Sequence, residues 1–415
     1  MKLLKYLLGE GVQPQVRDSV NALWGLGALP QIRGTWFYVD PTSGANTNAG
    51  TSADNAVADI QTAYALCTSG AGDGIVLLSA GTTASGTTSY LTHPLLWTKH
   101  GITVFGAAAP VRMFGRARVA TKDVTTGSIT TISFTNSGTS DYISDSAGGF
   151  ITAGFKVGDK IIVDSTSNTN DGTYTITALT ATKMTLDTGD SLTTESAATA
   201  GATVITNYCT EVINISGNNN TFYNVHMFNA DTASTSVGGL VITGDRNAFI
   251  NCHVVGGGGC AAAATISSLE LGASADENTF VGCTFGSDTI DRGDNANTEV
   301  SITGTAYRNR FYGCEFLSMA GSGTAHGAIK SSAAGNLGTD IIFRDCDFIC
   351  FRPNEAASMA SVFIGTAPTS GRILILGTSA LSGYAAWDAA GGNDRVYVGM
   401  PTYAASGAGG IPTTI

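Results

Sequence analysis

Charge is scarce in this chain. Only 13% of its 415 residues are Asp, Glu, Lys or Arg, and 32 acidic residues outnumber 21 basic ones. A formal net charge of −11, with no basic stripe interleaved with aromatics, excludes a nucleic-acid partner. No apolar run approaches the roughly 20 residues that a membrane helix needs, so no membrane partner is expected. The start, Met1 to Leu8, is interrupted by Lys5 and gives way to Gly9-Glu10 without a small-residue cleavage site, which argues against a secretory signal. Eight cysteines are present but no Cys-x-x-Cys pair, so the usual zinc spacing is missing. Gly-x-Ser-x-Gly, a phosphate-binding loop and His-Glu-x-x-His are all absent, which removes the hydrolases, nucleotide enzymes and metalloproteases built on them. No cofactor and no metal are expected.

Glycine, at 53 residues, is abundant, and Ser, Thr and Ala are plentiful. That composition suits a turn-rich all-β protein. Four cysteines then recur inside one phrase: Asn247-x-Phe249-x-x-Cys252, Asn278-x-Phe280-x-x-Cys283, Asn309-x-Phe311-x-x-Cys314 and a worn copy ending Phe343-x-x-Cys346. An earlier copy, Asn220-x-Phe222-x-x-Val225, has Val in the Cys position. The phenylalanines fall at 222, 249, 280, 311 and 343, in steps of 27, 31, 31 and 32. Self-similarity at that period marks a stacked repeat in which each unit buries its apolar side against its neighbours.

Each copy opens with a short alternating strand (Val212–Ile215, Leu240–Ile242, Leu269–Leu271, Val300–Ile302), turns, and passes through Asn and Phe. After a two-residue bend, a second strand carries Cys and an apolar residue two places on (Phe285, Phe316, Phe348). Side chains alternate along a strand, so Cys and that Phe share a face. Several β-pieces per period without a helical pattern make one coil of a parallel β-helix, with coils stacked about 4.8 Å apart. The repeat therefore predicts an inward Cys ladder and an Asn ladder at a turn, its amides bonded along the axis. A tetrahedral metal site needs convergent thiolates, whereas a ladder spreads them along a line. Buried, reduced packing is the expected role of these cysteines.

Outside the repeats, residues 1–35 read as an arm with a short amphipathic helix, and residues 36–119 as a capping segment with the first coils. Tyr38-Val39-Asp40-Pro41, Gly44, Ile60–Ala63 and Gly72-Asp73-Gly74-Ile75-Val76-Leu77 occur there in order. This resembles the opening of right-handed β-helix proteins of the pectin-lyase-like class, which implies a strand, a loop, one capping helix and a first coil strand. Residues 120–206 break the period. Their pattern, Phe155-x-x-Gly158-Asp159-x-Ile161-x-Val163 followed by Asn170-Asp171-Gly172-x-Tyr174-x-Ile176, carries a hairpin signal at Asn-Asp-Gly. It is similar to small barrel modules in structural proteins of tailed bacteriophages. Two readings stand open for it: a docking or symmetry-contact module, or a decorative insertion. Main coils and a cap fill residues 207–400, and an extended tail follows over 401–415.

The outward residue after each Cys position gives the column His226, His253, Thr284, Glu315, Asp347. Glu315 and Asp347, one rung apart, approach the roughly 5–5.5 Å separation of a retaining glycosidase. An exposed polar column is the plainer reading, because nothing in the local sequence buries either carboxyl. Stacked His226 and His253 lack a third metal ligand on their face, and Asp288–Asp294 lacks the calcium-loop spacing. Trp24, Trp36, Trp97 and Trp387 lie outside the repeat coils, which weakens a carbohydrate platform. The whole chain resembles a tailed-phage virion protein. That resemblance implies a non-enzymatic homotrimer in the virion, assembled in the host cytoplasm. Its expected role is a capsid decoration or cement protein that binds the major capsid protein or other virion proteins. Leu3, Leu4, Leu7, Leu8, Leu23 and Trp24 of the arm are the expected assembly contacts. The alternative is a tailspike or tail fibre that binds host surface polysaccharide and acts on it through Glu315 and Asp347.

Overall fold

A computed structural model describes residues 32–79, 88–108, 116–231, 238–256, 266–292, 297–320, 325–331, 340–351, 359, 361–365, 371–387 and 396–399. The chain winds into a parallel β-helix of about eight turns. A complete coil contributes one strand to each of three sheets, here numbered in their order along a coil. Sheet 1 has seven strands, from Leu95–Trp97 to Phe363–Gly365; sheet 2 has ten, from Trp36–Val39 to Val396–Gly399; sheet 3 has eight, from Thr88–Leu91 to Ala380–Ser382. Coils are named below by their sheet 2 core residue. The register keeps Phe222, Phe249, Phe280, Phe311 and Phe343 in one line through sheet 2.

That line is the core. The five rings stack nearly parallel at 5.1, 4.9, 4.6 and 4.5 Å between centroids. Phe285, Phe316 and Phe348 form a second stack inside sheet 3, edge-on to the first. Cys252, Cys283, Cys314 and Cys346 lie between them, buried and free of disulfides. Each thiol lies within 3.3–3.6 Å of the phenylalanine carbonyl one coil back, as with Cys283 Sγ and Phe249 O. Burial pushes the Cys283 thiol up to about 12, away from nucleophilic or ligating chemistry.

Backbone geometry explains the bends. Between sheets 2 and 3 six successive coils each pass through one left-handed residue: Asn224, Asn251, Gly282, Gly313, Asp345 and Gly377. Asn, Asp and Gly are the residues that tolerate that conformation at least cost. At the bend before sheet 2 the asparagine ladder forms as expected. Asn247 Oδ1 accepts from both the backbone N–H (2.9 Å) and the side-chain amide (3.0 Å) of Asn220, and Asn278 and Asn309 repeat the pattern. The ladder ends where Ile341 replaces Asn.

The helix Ile60–Leu66 lids the first coil, started by Asp59, whose carboxylate accepts from Thr62 N–H at 2.8 Å. Tyr64 under that lid lies 4.4 Å from Trp97, which in turn lies 5.1 Å from Phe222. Trp97 is therefore a core residue of sheet 1, on one of the first coils and upstream of the recognisable repeat. At the other end Trp387 closes edge-on against Phe348. Residues 132–208 build a six-stranded antiparallel sheet around a separate core of residues such as Phe134, Phe150 and Ile161. The Asn-Asp-Gly signal falls on its hairpin, where Gly172 pairs with Val163. Asp159 of this unit is fully buried and accepts from Thr92 Oγ1 (2.6 Å) and His93 Nδ1 (2.8 Å) of the β-helix.

Candidate functional site

The outward column of sheet 3 is assembled in register as the repeat spacing requires. Arg118, His226, His253, Thr284, Glu315 and Asp347 occupy one line across six adjacent strands. Its N-terminal half is packed rather than bare. The His226 and His253 rings stack at 4.5 Å with 9° between planes. The Arg118 guanidinium lies 4.5 Å from the centre of the Phe228 ring, a cation–π arrangement. Arg116, at the bend, spans two further coils: it donates to Asn251 O (2.9 Å), Asn251 Oδ1 (3.1 Å) and Thr284 Oγ1 (3.3 Å).

Electrostatics follow from this packing. Burial, joined by the neighbouring His253, pushes His226 down to about 2. Burial also takes His253 down to about 4, although its Nε2–H donates to Gly286 O at 2.8 Å. Both imidazoles are thus neutral at physiological pH, and the positive charge of the cluster resides on Arg116 and Arg118. Two buried nitrogens in it, Arg118 Nε and His226 Nε2, have no protein partner. Native structures rarely leave such groups unsatisfied, so the cluster carries hydrogen-bonding capacity that the described residues do not use.

The C-terminal half differs. Glu315 is exposed, with Oε2 3.4 Å from Thr284 Oγ1, and Asp347 is half-buried, with Oδ1 accepting from Ala380 N–H at 3.3 Å. They are in direct register on adjacent strands, so the structure brings the pair together as the spacing predicts. Residues 288–291 of the acidic stretch weighed for calcium and read as an exposed turn are the end of the strand Thr284–Asp291 instead. Leu3, Leu4, Leu7, Leu8, Leu23 and Trp24, the expected assembly contacts, lie outside the described residues.

Sequence reasoning missed a buried polar network where sheet 3 turns into sheet 1. Arg292 and Glu299, both fully buried, form a bidentate pair at 3.1 and 2.7 Å. Ser268 and Ser318 donate to Glu299 at 2.6 and 3.0 Å, and His326 bridges Ser318 (2.8 Å) to Asn297 (2.7 Å). Burial pushes His326 down to about 4. No repeat signal marks these positions, since each occurs in a single coil.

No known protein family and no curated protein matches the chain. Solved structures with a similar course include pectin methylesterase PemA from Erwinia chrysanthemi (12% identity, 86% of this chain and 82% of that one, TM-score 0.41). A rhamnogalacturonan lyase is similar at 12% identity over 84% and 74% (TM-score 0.36). The Gp54 tailspike of Acinetobacter baumannii bacteriophage AP22, solved with a capsular saccharide, is similar at 10% identity over 82% and 74% (TM-score 0.17). Likeness at this level concerns the fold alone. It nevertheless corrects one expectation: the chain was read as non-enzymatic, whereas these β-helix neighbours are a pectin methylesterase and a rhamnogalacturonan lyase.

Proposed function

We propose that this chain is the β-helix of a phage tailspike or tail fibre and that it binds a host surface polysaccharide along the outer face of sheet 3. The observation that carries this reading is the cluster of Arg116, Arg118, His226, His253 and Phe228. It combines cationic donors, an aromatic face and two buried nitrogens without partners on the outside of a β-helix. A sugar ring offers what such a cluster can use: hydroxyl or carboxylate oxygens for the guanidinium groups, and C–H faces for the aromatic rings. A polymer laid along the axis meets a new rung about every 4.8 Å, so weak contacts at successive coils add. Attachment to the particle falls to the apolar arm of residues 1–35.

Purified host envelope or capsule polysaccharide tests the reading by calorimetric titration against wild type, Arg118→Ala and Phe228→Ala. Loss of the charged hydrogen bond and the cation–π face should weaken binding about tenfold in either variant. Binding that is absent in wild type, or unchanged in both variants, overturns the proposal. Reducing ends measured in the same mixtures, with Glu315→Gln alongside, show whether bound polymer is also cut by the carboxylate pair.

A further inference from the structure

We infer that the polymer bound along sheet 3 is an acidic heteropolysaccharide in which carboxylate-bearing sugars are present but make up no more than one residue in three. The inference rests on the glycan reading above and adds to it the charge pattern of the polymer. The outer face of sheet 3 divides along the axis into a cationic stretch and an anionic one. In register across its first five strands it presents Tyr90, Arg118, His226, Phe228, His253 and Thr284, with no carboxylate among them. Exposed Lys122, just past the second of these strands, lies over the Tyr90 ring, with Nζ 5.9 Å from its centre. With Arg118 over Phe228, the face therefore holds two cations, each laid on an aromatic ring of a neighbouring coil. Lys122 is exposed, and Arg116, Arg118, Tyr90 and Phe228 are partly exposed, so a polymer reaches these groups directly.

The change of sign is abrupt. Arg116 Nη2–H donates to Thr284 Oγ1 at 3.3 Å, and Thr284 Oγ1 lies 3.4 Å from Glu315 Oε2 on the other side. Thr284, on the Phe280 coil, is thus the boundary. Cationic side chains serve the coils from Val104 to Phe280, carboxylates occupy the Phe311 and Phe343 coils, and uncharged Ala380 follows on the Ile375 coil. At about 4.8 Å per coil the cationic stretch is about 14 Å long, and the acidic coils extend the face by about 10 Å more.

Each half excludes a different polymer. A wholly neutral chain laid over Arg116, Arg118 and Lys122 strips water from them and returns only hydroxyl contacts. A carboxylate offsets that loss, because a guanidinium can bind it through two parallel charged hydrogen bonds. A chain with a carboxylate on every sugar fails at the other end. A pyranose is about one rung long, so such a chain sets carboxylates against both Glu315 and Asp347, and like charges brought together at an interface reject the partner. An alternating chain still places one there. Two successive sugars without a carboxylate, neutral or amine-bearing, clear both coils, which limits the acidic sugar to every third residue or fewer.

Calorimetric titration of the full chain with purified host polysaccharide in three forms is the test, with folding of each variant checked by circular dichroism. The forms are the native polymer, the same polymer with its carboxyls reduced to alcohols, and the polymer oxidised at its primary alcohols to carry extra carboxylates. Wild type should bind the native form about tenfold more tightly than either modified form. Arg118→Ala/Lys122→Ala should bind the native and carboxyl-reduced forms alike, because the groups that read the carboxylate are gone. Glu315→Gln/Asp347→Asn should regain most of the affinity lost on oxidation. Sugar analysis of the native polymer should find acidic residues at one in three or fewer. Failure of wild type to bind the native form overturns the glycan reading itself. Equal binding of the native and carboxyl-reduced forms by wild type, no recovery of the oxidised form in the folded Gln/Asn variant, or a bound native polymer with denser acid or none, overturns the charge pattern alone.

Discussion

Removing one rung of the asparagine ladder should cost far more than a surface polar substitution. Asn278 is fully buried and completes four hydrogen bonds through its side chain. Its Oδ1 accepts from Asn247 N–H (2.9 Å) and Asn247 Nδ2–H (3.1 Å); its own amide donates to Gly244 O and Asn309 Oδ1, both at 3.1 Å. Asn278→Ala leaves Asn247 N–H, one hydrogen of the Asn247 amide and Gly244 O unpaired, while Asn309 Oδ1 keeps the backbone N–H of residue 278. Taking each of the three at the lower end of the penalty for an unsatisfied buried group gives about 3 kcal/mol. Urea denaturation, read by far-ultraviolet circular dichroism, measures it as a shift in midpoint at constant slope.

The isosteric Asn278→Asp sharpens the test. The introduced carboxyl keeps both acceptor contacts with Asn247 but replaces the donating amide with an oxygen facing two other oxygens. At pH 7 this variant should be no more stable than Asn278→Ala. Burial and those oxygens raise the introduced carboxyl's folded pKa above the unfolded value of about 3.9, so the folded state binds the proton more tightly. Its stability should therefore rise as pH falls toward 4, opposite to the wild-type trend. A loss below about 1 kcal/mol for Asn278→Ala, the scale of an ordinary exposed polar contact, would refute the ladder's role.

His326 contributes one share of the acid limb of wild-type stability, beside His226 and His253: with a folded pKa of about 4 against about 6.5 unfolded, its stability present above pH 6.5 is lost as pH falls toward 4. That share is about 3 kcal/mol, and His326→Gln should remove it from urea titrations across that range while the remainder persists. Cys283→Ala should cost roughly 1–2 kcal/mol without changing the fold, and maleimide should fail to label Cys283 until the chain is denatured. Glu277 accepts from Arg246 (2.7 Å) and Arg308 (2.9 Å) on the coils either side, so Glu277→Arg should lower the melting temperature, and added salt should recover part of the drop.

What was legible in the sequence is what repeats. The period announced the phenylalanine stack, the cysteine ladder, the asparagine ladder and the outward column from His226 to Asp347, because stacking puts equal positions in contact. A column of alternating charge was equally available and went unread. Arg246, Glu277, Arg308, Asp340 and Arg372 are successive rungs just before the ladder position, and Arg372 donates to Asp340 as Arg246 and Arg308 do to Glu277. Position was the signal there, not identity: three of these residues, Arg246, Glu277 and Arg308, are left-handed despite side chains that do not favour it. Arg292, Glu299 and His326 could not be found this way. Each occurs once, at a corner whose backbone departs from the repeat, and their partners come from coils 7 to 36 residues away.

Stacked coils also set a rule for charge, and sheet 3 breaks it in one place. Every column of a parallel β-helix is a line of side chains about 4.8 Å apart, where equal charges on neighbouring rungs repel. The column before the ladder obeys by alternating sign from Arg246 to Arg372. Sheet 3 obeys over its first half by another route: Arg118 is followed by two imidazoles that burial keeps neutral, then by Thr284. Glu315 and Asp347 then sit side by side with the same sign and no cation on a neighbouring rung, which Thr284 and Ala380 occupy. Nothing in the β-helix core requires either carboxylate, since both point away from it. A cation supplied from outside the coil would relieve that repulsion, so this pair is where a bound cationic group has most to contribute.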